Sequence, residues 1–260
     1  MKILVCLKQV PAKDAPVKVA ADGPQAGRWI RDDVSYETNE PDAYALEEAL
    51  RQKEAHGGEV AALTVGPARA AQVLREALAK GADRAIHVLS EEAAGLDGYA
   101  AAEAIARAIA GQGFDLIFTG LQSADYGFGQ TGVILAELLG IAHSTIIMQV
   151  QPAEGGVRVK RELEAGFFQF QHLPTPAVLT IQSGINKLRY ATLMGIKQAK
   201  SKPLAQVSAA DLGVTAALNR QTIRRLYVPA KTKQTKILTG PAGQVAAQLA
   251  AHLKDDLRVI

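Results

Sequence analysis

The residues best suited to bind a ligand lie in one glycine-rich stretch, FDLIFTGLQSADYGFGQTGVILAELLG, at residues 114–140. A short apolar run ends at Gly120, a polar loop follows, and a helical pattern begins near Thr131. Glycines let backbone N–H groups approach an anion, and the N-terminus of a helix carries partial positive charge. Because Ser123 and Thr131 add hydroxyl groups, the stretch predicts a phosphate-binding loop.

Part of this stretch, Gly127-Phe128-Gly129-Gln130-Thr131-Gly132, matches the pattern G-x-G-x-x-G. Its position argues against a nicotinamide site, because the match follows a late strand and an insert separates it from that strand. No acidic residue ends another strand about 20 residues further on, as that site requires. The loop therefore indicates anion binding, with a loop that only turns the chain as the alternative.

Outside this stretch the sequence offers no group of reactive residues. The five histidines are far apart without an i, i+4 pair, and neither G-x-S-x-G nor G-x-x-x-x-G-K-[ST] occurs. The single cysteine, Cys6, lies on an apolar strand and excludes a disulfide within the chain. We therefore predict no metal site and assign no catalytic residue.

Alternating strands and helices are predicted to position the loop. Short runs rich in Val, Ile and Leu, without alternation, are typical of parallel strands buried on both faces. Strands are predicted over residues 3–7, 60–65, 85–89 and 116–119, and helices over 41–56, 67–80, 98–110 and 131–139. Strands joined by helices predict an α/β fold with a doubly wound, mostly parallel sheet, which binds ligands at the carboxyl ends of its strands.

The pattern changes after Gly140. Further strands are predicted over residues 144–151, 157–163, 167–170 and 178–181, and they could extend the sheet in antiparallel fashion. Residues 185–225 show little periodicity, residues 226–240 suggest an extended tail, and 243–253 a helix. We therefore divide the chain into a nucleotide-binding α/β domain, residues 1–184, and a recognition loop with a C-terminal arm that packs on a partner, residues 185–260.

Composition excludes several classes of protein. The chain has 260 residues, of which 48% are hydrophobic and 21% charged, so a disordered protein is excluded. A net charge of +3 is too small to argue for nucleic acid. No apolar run approaches the ~18 residues that a membrane span needs. The N-terminus is predicted to be a strand rather than a signal peptide, and we expect a soluble, cytoplasmic protein.

Ordered motifs carry a family resemblance. The most specific is LPTPAVLTIQSGINKLRYATLMGIKQAKSKPL at residues 173–204, with R-Y-A-T-L followed by a basic segment. KILVCLKQVP, TNEPDAYALEEALRQKE, LTVGP, ALAKGADRAIHV, GLQSADYGFGQTG and DLGV fit the same pattern in order. With these motifs the chain resembles the β subunit of electron transfer flavoproteins over nearly its whole length.

The resemblance implies both a fold and a function. The fold would be adenine nucleotide α-hydrolase-like, with an arm that wraps the partner. The β subunit pairs with an α subunit that holds most of the FAD, and it binds AMP as a structural ligand. The heterodimer carries electrons from acyl-CoA and other dehydrogenases, as in fatty acid β-oxidation, to a quinone oxidoreductase. The chain would be an electron carrier subunit, not an enzyme.

The resemblance also implies which residues bind. The AMP contacts would be Cys6, Asn39, Glu40, Pro41, Asp42, Val65, Gly120, Leu121, Gln122, Ser123, Asp125, Gly127, Phe128, Gly129, Gln130 and Thr131. In the motif R-Y-A-T-L, Leu193 would be an apolar anchor on the dehydrogenase, beside Tyr190, while Lys197 and Lys200 would steer the encounter.

Three alternatives remain open. The electron-bifurcating branch of the family resembles D-G-D-T-A-Q-V-G and binds a second FAD in place of AMP; this chain has D-Y-G-F-G-Q-T-G, whose ending favours AMP. An ATP-hydrolysing or adenylating enzyme of the same architecture often carries S-G-G-x-D-S after its first strand, where this chain has LKQVPAKDAP. A nucleotide-binding stress-type protein would not require residues 185–260.

Overall fold

The computed structural model describes residues 1–16, 18–20, 29–30, 34–91, 95–230, 232 and 235–259. The chain divides into a large unit, Met1–Lys18 with Ile30–Arg224, and a small unit, Val19–Trp29 with Arg225–Ile260. Within the described ranges, no helix is long and apolar enough to cross a membrane. The candidate site lies in the large unit.

A nine-stranded sheet forms the centre of the large unit. Its strands are β1 (Lys2–Cys6), β6 (Glu59–Gly66), β7 (Arg84–Leu89), β8 (Leu116–Gly120), β9 (Ala142–Ala153), β10 (Gly156–Glu162), β11 (Phe168–Pro174), β12 (Ala177–Ile181) and β13 (Leu204–Ser208). They are arranged in the order β11-β10-β9-β12-β8-β1-β6-β7-β13. The shorter strands are β2 (Gln9–Pro11), β3 (Lys18–Val19), β4 (Trp29–Ile30) and β5 (Tyr36–Thr38), of which β2 and β5 pair antiparallel.

The pairing confirms the predicted fold class. β1 is parallel to both β6 and β8, so that Val5 lies opposite Ala62 on one side and Phe118 on the other. β12 continues the parallel part beside β8, and β6, β7 and β13 complete it. β10 is antiparallel to β9 and β11. The antiparallel extension predicted after Gly140 is therefore present only at β10 and its two neighbours, because β12 is parallel to both β8 and β9.

Helices cover both faces of the sheet. They are α1 (Glu40–His56), α2 (Ala71–Lys80), α3 (Gly98–Ala108), α4 (Thr131–Leu139) and α5 (Leu193–Ala199), all in the large unit. The small unit contains α6 (Ala242–Ala251). Leu46 of α1 and Leu74 of α2 belong to one apolar core together with Phe118. Leu135 of α4 belongs to a second core together with Ile117. Adjacent residues of β8 thus face opposite layers, as a doubly wound sheet requires.

Residues 185–225 contain more regular structure than the sequence predicted. The helix α5 and the parallel edge strand β13 both lie there. Lys202, just before β13, donates hydrogen bonds from Nζ to the carbonyls of Leu78 (2.9 Å) and Ala82 (2.7 Å) at the end of α2. Lys202 therefore holds β13 and α2 together. The assignment of residues 185–260 to partner binding stays a prediction.

Candidate functional site

The glycine-rich loop (residues 120–131) leaves the carboxyl end of β8, and Asn39 fixes its conformation. The short β2–β5 ladder brings Asn39 beside Lys8, whose carbonyl accepts from the Asn39 N–H (2.9 Å). The buried Asn39 side chain donates to the Gln122 carbonyl (3.0 Å) and accepts from the Ala124 N–H (2.9 Å). The side-chain amide of Asn39, the residue just before α1, thus bonds to the loop backbone on both sides of Ser123.

Asp42, in the first turn of α1, joins the elements around the loop. Its buried carboxylate accepts from the backbone N–H groups of Lys8 (2.7 Å) and Gly120 (2.9 Å). Burial raises the pKa of Asp42 to about 6, while hydrogen bonds from Lys8, Asn39 and Gly120 favour the ionised form. A Cβ at Gly120 would lie 2.2 Å from Asp42 Oδ1, so this close approach requires glycine. Asp42 therefore joins α1 to the chain that follows β1 and to the carboxyl end of β8.

Lys8, which was not among the predicted site residues, stabilises the glycine-rich loop. Lys8 Nζ lies 2.6 Å from Asp125 Oδ1 and 3.2 Å from Ser123 Oγ. The Asp125 side chain is 2% exposed. Its burial opposes ionisation, but the ammonium of Lys8 and hydrogen bonds from Ser123 and Tyr126 outweigh this effect and hold the pKa of Asp125 below the usual range. The Tyr126 ring lies 5.1 Å from Lys8 Nζ and stacks on Phe128. Lys8 and Asp125 neutralise each other.

The loop ends at the N-terminus of α4, which has no internal cap in the described structure. The N-cap residue Gln130 makes no side-chain capping bond, and the first turn contains no acidic residue. Gly127 and Gly129 take positive φ values of 66° and 63°, which favour glycine. The first N–H groups of a helix have no acceptor within it. The end of α4 therefore offers donors and partial positive charge to an anion.

The buried hydroxyl of Thr119 lies beside the first turn of α4. A Cβ at Gly132 would be 2.6 Å from Thr119 Oγ1 and 2.8 Å from Thr180 Cγ2, so α4 packs directly on β8 and β12. Thr119 Oγ1 has no hydrogen-bond partner among the described residues. The unpartnered hydroxyl fits a ligand that brings its own hydrogen-bonding group to the carboxyl end of β8.

The structure brings most of the predicted AMP contacts together. Asn39 and Asp42 bond directly to the loop, which itself contains ten of the predicted residues: Gly120, Leu121, Gln122, Ser123, Asp125, Gly127, Phe128, Gly129, Gln130 and Thr131. Pro41 lies beside Gly120, and Glu40 is exposed. Val65 packs against the apolar cluster that includes Cys6, whose burial raises the pKa of its thiol. The AMP contacts themselves stay predictions.

The second group of predicted residues forms an exposed segment (residues 190–196). Tyr190 is 92% exposed and Leu193 is 88% exposed, so Leu193 is not a core leucine of this chain. Thr192 caps α5 by accepting from the Gly195 N–H (3.0 Å). A Cβ at Gly195 would lie 2.2 Å from the Ala79 carbonyl oxygen, so α5 packs closely on α2. Lys197 and Lys200 follow on α5 or at its end, and both are exposed.

The fold and the loop are those of an electron transfer flavoprotein domain, whose sequence model matches residues 28–212. That span includes the whole glycine-rich loop, α1 to α5 and the exposed segment. It covers well over half of the 260-residue chain.

Relatives that match along most of their length indicate the subunit. The chain is 39% identical over 258 residues to the electron transfer flavoprotein subunit beta of Methylophilus methylotrophus, covering 96% of each chain. It is 34% identical to the same subunit of Bradyrhizobium diazoefficiens, covering 100% of each. It is also 38% identical over 208 residues to the acryloyl-CoA reductase electron transfer subunit gamma of Anaerotignum propionicum, covering 78% of this chain and 76% of that one. The chain belongs to the electron transfer flavoprotein β-subunit family, as its motifs predicted.

Proposed function

We propose that this chain is the β subunit of a heterodimeric electron transfer flavoprotein that binds AMP in its glycine-rich loop. The uncapped N-terminus of α4 is the observation that carries the proposal. A helix end of this kind favours a bound phosphate. The loop around it is already held in shape by Asn39, Asp42 and the Lys8–Asp125 pair.

Backbone groups would hold the phosphate. The N–H groups of Gly129, Gln130 and Thr131 and the hydroxyl of Thr131 stand where the loop enters α4. Because Asp125 cancels the charge of Lys8, the loop attracts an anion through donors and the helix dipole rather than through a free cation. Such a neutral, prebuilt site suits a ligand that stays bound and takes no part in the redox chemistry.

The FAD of the α subunit supplies the redox chemistry of the heterodimer when it is bound. The C-terminal arm within residues 185–260 would pack on that subunit, whereas the exposed segment would not. The exposed Tyr227 and Val228 support such a contact. We assign this chain no catalytic residue and place it in the cytoplasm as a carrier of electrons from acyl-CoA and other dehydrogenases to a quinone oxidoreductase.

The exposed segment would dock the electron donor. Leu193 is the anchor, Tyr190 lies beside it, and Lys197 and Lys200 steer the approach. A large apolar side chain that is 88% exposed and follows an N-cap has no role in the core of this chain. Exposed apolar anchors contribute much of the binding energy when a partner covers them.

Reconstitution tests the carrier function. The chain is coexpressed with its α subunit, and the purified heterodimer is mixed with an acyl-CoA dehydrogenase and its acyl-CoA substrate. We expect the FAD absorbance to bleach and to recover when a quinone oxidoreductase and quinone are added. A chain that purifies without α subunit and without flavin would contradict the proposal and favour a stress-type nucleotide-binding protein.

A further inference from the structure

One arginine attaches the exposed segment to α1, the helix whose first-turn Asp42 bonds to the glycine-rich loop. Arg189 donates from Nε and Nη2 to Glu47 (2.7 and 3.0 Å), and from Nη1 and Nη2 to Glu54 (2.5 and 3.0 Å). Its backbone N–H also donates to Glu47 (3.2 Å). Both glutamates belong to α1. The guanidinium therefore bridges two turns of α1 directly before Tyr190.

The charges around Arg189 make this attachment hard to replace. Glu47 is 7% exposed, so its carboxylate depends on a cation, whereas Glu54 is 59% exposed. The hydrogen bonds and charges of both glutamates raise the pKa of Arg189 above its usual range. A planar guanidinium can bond two carboxylates in parallel, and an ammonium cannot. Lysine at position 189 would keep the positive charge but could not form the paired hydrogen bonds to both carboxylates.

A second polar contact fixes the chain just before the arginine. Asn186 Nδ2 donates to the Tyr44 carbonyl (3.1 Å) and to Glu48 (3.2 Å), both on α1. Tyr190 and Leu193, by contrast, are almost fully exposed. The polar contacts at 186 and 189 therefore hold one end of an apolar segment, and α5 holds the other.

We propose that Arg189 is a positioning residue for docking. It holds residues 190–196 in the conformation in which Leu193 binds the electron donor. This inference rests on the proposed docking role of Leu193. A segment that is already ordered loses less conformational entropy when a partner binds it, and the association is stronger for that reason. Arg189 acts through Leu193 and need not touch the partner.

A double-mutant cycle on the heterodimer tests the inference. The variants are Arg189→Lys, Leu193→Ala and the combination, and the probe is an acyl-CoA dehydrogenase that reduces the wild-type heterodimer. We expect Arg189→Lys to raise the KM for the heterodimer about 10-fold with kcat nearly unchanged, since a loosened segment weakens binding only. In the Leu193→Ala background, Arg189→Lys should change KM by less than about twofold. Hydrogen exchange at residues 190–196 should be faster in Arg189→Lys, with unchanged FAD content and Tm.

Two further variants sharpen the result. Arg84→Lys is the matched control: Arg84 is 26% exposed, close to the 28% of Arg189, and pairs with Glu59 at 2.5 Å on the sheet. It should leave KM unchanged. If Arg189→Lys does not fold, Glu54→Gln weakens only the exposed partner. It should raise KM about threefold, because the negative charge and one of the two acceptor oxygens of Glu54 are lost while the bonds to Glu47 remain.

The outcomes separate the two proposals. If Leu193→Ala raises KM and neither Arg189→Lys nor Glu54→Gln does, the positioning role is wrong and the docking role stands. If the effects of Arg189→Lys and Leu193→Ala on KM multiply independently, Arg189 acts by its own contact and the inference is also wrong. If Leu193→Ala leaves KM unchanged, the docking role fails and the inference fails with it.

Discussion

Replacing Asn39 by alanine removes the clamp on the glycine-rich loop. The side chain makes two hydrogen bonds to the loop backbone, at 3.0 Å to Gln122 and 2.9 Å to Ala124. A typical hydrogen bond within a protein contributes about 1 kcal/mol net to stability. The two bonds together stabilise the loop by about 2 kcal/mol, which corresponds to roughly 30-fold weaker AMP binding if the loop must reorder.

Equilibrium dialysis of the heterodimer against labelled AMP measures the affinity directly. The matched control is Asn186→Ala. It also removes an asparagine that bonds to a backbone carbonyl, that of Tyr44, but Asn186 lies just before the exposed segment and makes no bond to the loop. We expect Asn39→Ala to weaken AMP binding about 30-fold and Asn186→Ala to leave it unchanged. Equal AMP affinity in wild type and Asn39→Ala would refute the argument that this clamp preorganises the site.

Three other predictions concern single side chains of the heterodimer. Leu193→Ala should keep the FAD content and slow electron transfer from a subsaturating acyl-CoA dehydrogenase about 30-fold, the cost of truncating an anchor worth about 2 kcal/mol; a wild-type rate would show that Leu193 is no anchor. Thr131→Val should weaken AMP binding by about 1.5–3 kcal/mol through one lost hydrogen bond to phosphate, with an unchanged flavin spectrum; dialysis against AMP measures it. Because the pKa of Asp125 is held low in the folded chain, its ion pair stabilises the fold above the ordinary aspartate pKa of about 4 and is lost as pH falls through the folded value. The Tm difference between wild type and Asp125→Asn should therefore be largest at pH 7 and shrink below about pH 4; a constant difference would contradict the assignment.

The parts of the fold that sequence predicted are those whose residues are buried on a regular period. β1, β6 and β8 are short apolar runs covered on both faces, and α1 to α4 carry apolar stripes that pack on them. The sequence did not predict α5, because only Ala199 of its seven residues is buried. The sequence did not predict β13, because this edge strand, LAQVS, has two exposed residues in five and no continuous apolar run. Exposed elements leave little signal in hydrophobic periodicity.

The sequence predicted those site residues whose type is itself required, such as glycine. It did not predict residues whose role depends on a bonding partner far away in the sequence. The glycines of the loop are visible in the sequence because positive φ and close backbone approach need them. Lys8 pairs with a residue 117 positions away, and Arg189 with one 142 positions away, so only the folded chain reveals either pair. A charged residue directly after an apolar first strand was the one local signal for Lys8.

The nucleotide content of the purified heterodimer tests the central claim most directly. Denaturing the heterodimer and separating the released nucleotides by chromatography counts the AMP and FAD that it holds. The uncapped end of α4 and the ending Gln130-Thr131-Gly132 lead us to expect one AMP and one FAD per heterodimer. Two FAD and no AMP would contradict the claim and favour the electron-bifurcating branch, and one FAD with no AMP would show that the glycine-rich loop does not retain a nucleotide.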